Sequence, residues 1–87
     1  MDNANVIWNS CLETLRVELS PANFSTWFKE THITDIKEAD KRAIVSVGCP
    51  SLFVKHTVES RYFGLVQETL EKKLEKPCDL TFVVKEI

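Results

Sequence analysis

WNSCLETLRVELSPANFSTW, residues 8–27, holds both tryptophans of the chain and breaks once, at Ser20-Pro21. Before the break, Trp8, Leu12, Leu15 and Leu19 recur at helical spacing, with Ile7 and Cys11 beside them and Glu13, Arg16 and Glu18 on the opposite side. That is a period of 3.6, not 2, and it predicts an amphipathic helix over about residues 5–19. The residue before a proline resists the α region, whereas proline is welcome at the first position of a new helix. Ser20 is therefore the expected N-cap of a second, short helix whose buried face is Phe24, Trp27 and Phe28.

Downstream the pattern changes to that of a sheet. Ile33 and Ile36 precede the polar cluster KEADK, and Ala43-Ile44-Val45-Ser46-Val47 is short and β-branched. Two antiparallel strands joined by a charged turn follow, with Gly48 ending the second. Pro50-Ser51 opens a long helix with Ser51 as N-cap, expected to run from Leu52 to about Lys76. Its expected stripe is Val54, Val58, Tyr62, Leu65, Thr69 and Leu70, and Gly64 lies within it as the site of a kink or a close backbone approach. Pro77 stops it, and Leu80, Phe82 and Val84 line one face of a last strand. The order is α-α-β-β-α-β. Three strands with one apolar face need helices to cover it, so the expectation is an α+β domain spanning residues 1–87 as a single unit.

Composition narrows the function classes. Eleven Lys and Arg against thirteen Asp and Glu give a net charge of −2, which lacks the positive surplus of a dedicated nucleic-acid binder. Cys11, Cys49 and Cys78 are odd in number, widely spaced and without a C-x-x-C pair, as expected of free thiols in a reducing compartment. Neither a secretory signal nor the roughly 20 apolar residues of a membrane span is present, so the expected location is cytoplasmic, without membrane partners. His32, His56 and the cysteines fit no zinc spacing and offer no nucleophile, base and orienter set. Catalytic, metal and cofactor sites are not expected.

Aromatic contact surfaces are the stronger signal. Trp8 lies near the start of its helix, where it reads either as a core residue or as a partly exposed anchor for another protein. Trp27, between Phe24 and Phe28, reads as core. Phe53 sits off the stripe of its helix and reads as an exposed contact. A nucleic-acid reading would rest on Lys55, His56 and Arg61 beside Phe53, without the Gly-x-x-Gly clamp of KH modules.

Three segments together resemble the N-terminal domain (domain I) of the bacterial replication initiator DnaA. They are Trp8-x-x-x-Leu12-x-x-Leu15-x-x-x-Leu19-Ser20 with Phe24-x-x-Trp27, then Cys49-Pro50-Ser51-x-Phe53-Val54, then Val58-Glu59-Ser60-Arg61-Tyr62. The resemblance covers about residues 5–85 and implies a KH-like three-stranded sheet packed against helices. It implies an interaction module that mediates weak self-association and recruits the replicative helicase and initiation regulators at the origin. ATP is expected only in the ATPase domain of a full-length initiator. On this resemblance Trp8 corresponds to the self-association residue, Asn23 and Phe53 to helicase contacts, and Thr26, Ser51 and Val54 to the regulator face. Asn23 departs from the acidic residue that some members carry, which puts helicase or single-strand DNA contact there in question, and Thr57 replaces a frequent aromatic. The chain is expected to be an excised domain rather than a freestanding homologue regulating the initiator. The alternative reading is a KH-like module binding single-stranded nucleic acid weakly.

Overall fold

The computed structural model describes residues 3–85; the outermost residues of the expected unit, 1, 2, 86 and 87, lie outside the described residues. Its elements are α1 (Asn3–Glu18), α2 (Pro21–Trp27), β1 (His32–Glu38), β2 (Ala43–Cys49), α3 (Leu52–Arg61), α4 (Phe63–Leu74) and β3 (Cys78–Val84). The fold is α+β, as the sequence suggests, with one correction to the element order. The long helix expected from Leu52 onward is two helices that meet at Tyr62, whose φ and ψ are −116° and 10°. A straight helix of that length would run about 38 Å. A seven-residue strand covers only about 23 Å, so turning at Tyr62 lets both halves stay over the sheet. Tyr62 then meets Phe28 edge-on at 5.4 Å, and Phe63 approaches Phe82 at 6.0 Å. Gly64 is neither the bend nor a close approach, since a Cβ there would meet nothing within 4 Å.

The sheet order is β1-β2-β3. β1 and β2 form an antiparallel hairpin closed by Ala39 donating to the carbonyl of Arg42 at 2.8 Å. β3 runs parallel to β2, which requires the α3–α4 crossover between them. Along β2, Ala43, Val45 and Val47 turn inward, opposite Cys78, Leu80 and Phe82 of β3. Gly48 does not end β2, as the sequence suggested; it lies inside the strand opposite His32. A Cβ at position 48 would stand 2.7 Å from His32 Cε1 and 2.8 Å from Thr34 Cγ2, so glycine makes room for a cross-strand imidazole.

Helix ends follow local chemistry. Ser20 accepts the N–H of Asn23 and Ser51 that of Val54, at 3.1 and 3.2 Å, so both expected N-caps form. α4 ends with Glu75 in the left-handed region (φ 58°, ψ 38°), two residues ahead of Pro77. One apolar core joins Trp8, Cys11 and Leu15 of α1, Phe28, Val58 and Tyr62, Val66 and Leu70 of α4, and the inward face of the sheet. Val66 occupies the centre of the α4 stripe, which the sequence reading assigned to the half-buried Leu65. At the far end, Val84 follows Leu80 and Phe82 on the same face by strand alternation but is 48% exposed where the strand runs out.

Candidate functional site

The last turn of α2 and the first turn of α3 converge to make the site. Asn23, Thr26 and Trp27 are three and four residues apart and so share one face of α2. On the inner side of the same helix, Phe28 is fully buried against Tyr62, and Phe24 stacks with Phe28 at 6.5 Å while the Arg16 guanidinium covers its ring at 4.9 Å. These rings fix the orientation of α2. The N-cap at Ser51 sets the first turn of α3 and leaves Phe53 71% exposed. The Phe53 ring meets that of Trp27 at 5.3 Å and 56°. Leu52, beside it in the chain, is 59% exposed.

The result is an open apolar ridge of Trp27, Phe53 and Leu52, flanked by the exposed Asn23 and Thr26 and the half-buried Ser51 and Val54. All five expected partner-facing residues therefore lie on α2 and the start of α3, which the Trp27–Phe53 contact joins. Trp27, read as core, is half-buried: it packs against the core on one side and contributes to the ridge on the other. Leu52 was missed, although two adjacent large apolar residues before a helical stripe cannot both face inward.

Trp8 is a correction. It is 2% exposed, and its indole N–H donates to both the carbonyl and the hydroxyl of Thr31 at 3.2 Å. The Thr31 hydroxyl in turn donates to the carbonyl of Phe28 at 2.6 Å. The segment linking α2 to β1 folds back over the first turns of α1 and encloses the ring, so Trp8 is a core residue and not a partly exposed anchor.

Lys55, His56 and Arg61 do not form one basic stripe. At about 100° per residue they point in three directions around α3. Lys55 is further occupied by Glu59 at 3.1 Å, and the Arg61 guanidinium lies 5.5 Å from the centre of the Tyr62 ring. The three thiols are unpaired and buried. Burial pushes those of Cys11 and Cys49 up to about 11, away from the thiolate that nucleophilic chemistry needs. Among the described residues, no group of three or more His, Cys, Asp or Glu is placed to hold a metal ion, and no helix is long and apolar enough to cross a membrane.

A family model described as DnaA N-terminal domain matches residues 5–72. The match takes in α1 through nearly all of α4, including every residue of the ridge, while β3 lies past it. The chain belongs to this family, that of a replication-initiator module.

Proposed function

We propose that this member of the DnaA N-terminal domain family is a protein-docking module of a replication initiator, and that the ridge of Trp27, Phe53 and Leu52 is where it receives the replicative helicase and initiation regulators. The observation that carries the proposal is the exposure of a large aromatic, Phe53, held in place by a second ring on a neighbouring helix. A ring already immobilised loses little freedom on binding, and aromatic anchors dominate the energetics of protein interfaces. Asn23 and Thr26 supply hydrogen-bonding groups at the rim. An amide at position 23 can donate and accept but brings no charge, so recognition there depends on hydrogen bonds rather than long-range steering.

The module also associates weakly with itself. Trp8 fixes the first turns of α1 against the α2–β1 segment from within the core and does not itself touch the second copy. The module acts in the cytoplasm, without catalysis or a cofactor of its own, and its contact with single-stranded DNA is weak at most.

The test is an NMR titration of the labelled chain with the replicative helicase of the same cell. Amide signals of Asn23, Thr26, Phe53 and Val54 should shift or broaden together. Perturbation confined to α4 and the sheet would place the helicase elsewhere and overturn the assignment of the ridge.

A further inference from the structure

β1 is an edge of the sheet, pairing only with β2 among the described residues. The hydrogen bonds of β2 show which groups on β1 are free to pair. Ala43 donates its N–H to the Pro77 carbonyl at 3.0 Å, and the Cys49 carbonyl accepts the N–H of Lys85 at 2.8 Å. The odd-numbered residues of β2 thus turn their backbone groups toward β3. Their register partners on β1, Ile36 opposite Val45 and Glu38 opposite Ala43, turn theirs outward.

Next to this edge, an open groove of about 460 Å³ separates β1 from the first turns of α1, with Val6, Ile7, Ile33 and Ile36 among its lining residues. Val6 is 50% exposed. Asp35 and Lys37 flank Ile36 along β1, opposite Ser46 and Ile44 of β2, and Asp35 and Glu38 also border the groove. Asp35 and Lys37 are both exposed, and neither forms an ion pair among the described residues, whereas the neighbouring Glu38 is held by Lys76 at 3.3 Å.

We propose that β1 pairs antiparallel with β1 of a second copy, about a two-fold axis at Ile36, so that two three-stranded sheets become one of six strands. The charges select this register. With the axis at Ile36, each copy's Asp35 lies opposite the other copy's Lys37, twice by symmetry. Moving the axis one residue either way sets Asp35 against Asp35 or Lys37 against Lys37. The outward N–H and carbonyl of Ile36 then bond to their equivalents across the axis. The two α1 helices come to the same side of the joined sheet, where Val6 and the groove are covered. This inference rests on the self-association reading and gives it a surface, because the enclosed Trp8 provides none.

Sedimentation of the chain up to millimolar concentration, with charge-exchanged variants, tests it. Asp35→Lys and Lys37→Asp should each weaken association about tenfold, since two attractive pairs become repulsive. The double variant Asp35→Lys/Lys37→Asp should return to within about threefold of the parent, because the exchange restores both pairs. Association of the parent that none of the three variants alters would overturn the strand pairing and leave self-association standing. A parent that stays monomeric at millimolar concentration would remove both. Shifts of the Ile36 and Glu38 amides on adding the helicase to a monomeric parent would give the edge to another occupant and overturn the pairing of copies.

Discussion

Trp27 of α2 and Phe53 of α3 share one contact, 5.3 Å between ring centroids, yet differ in what they do with it. Trp27 is half-buried and anchors α2, whereas Phe53 is 71% exposed and rests on Trp27 with most of its surface in water. A rigid support beneath an exposed ring is the arrangement expected of a docking residue. The remaining aromatics of α2, Phe24 and Phe28, bind it to the core from the other side.

Trp8 should behave as a core residue in every measurement of stability. Trp8→Ala removes a buried indole and should cost about 3–5 kcal/mol by denaturant unfolding. Trp8→Phe keeps much of the volume but leaves the Thr31 carbonyl without its indole donor, and should cost about 1–3 kcal/mol. A loss below about 0.5 kcal/mol for Trp8→Ala, typical of surface positions, would mean that the ring is exposed in solution.

Glu75 holds a left-handed conformation that favours glycine. Its N–H donates to the Glu71 carbonyl at 2.8 Å, a bond that needs no side chain at position 75. Glu75→Gly should therefore raise stability by about 0.5–1 kcal/mol, the relief of strain exceeding the added freedom of the unfolded chain. Thermal unfolding of the two proteins side by side checks it, and a lower midpoint for the variant would contradict it.

The buried thiols predict how stability responds to alkali. Burial raises Cys11 and Cys49 from the ordinary 9.0 to about 11 in the folded chain. Between those values the unfolded chain releases protons that the folded chain retains, so stability is fully present below pH 9 and declines as pH rises toward 11. Urea midpoints measured from pH 7 to 10.5 should fall above pH 9, and the Cys11→Ala/Cys49→Ala variant should fall less steeply. Equal slopes would show that the thiols are not what titrates.

Much of the fold is legible in local pattern. The α1 stripe, the caps at Ser20 and Ser51, the charged turn and the three strands all rest on chemistry within a few residues of each other. What escaped the sequence is non-local. The bend at Tyr62 carries neither proline nor glycine; it comes from Tyr62 meeting Phe28 and Phe63 meeting Phe82. Helix periodicity continues across it unbroken. Whether Trp8 is covered depends on Thr31, 23 residues away. Gly48 looked like a strand end because its partner, His32, lies on another strand. At the candidate site, Phe53 stood out by being off the helical stripe, while the exposure of Trp27 depended on how α2 is tilted by the rings behind it.

The direct test of the central claim is calorimetric titration of the replicative helicase with the parent chain and with Phe53→Ala. Because Phe53 is mostly in water, the variant should unfold within about 1 kcal/mol of the parent. Its affinity for the helicase should nonetheless fall tenfold or more, about 1.4 kcal/mol or above, as for an interface anchor. Equal affinity in a variant of unchanged stability would contradict the claim that the Trp27–Phe53 ridge is the docking surface.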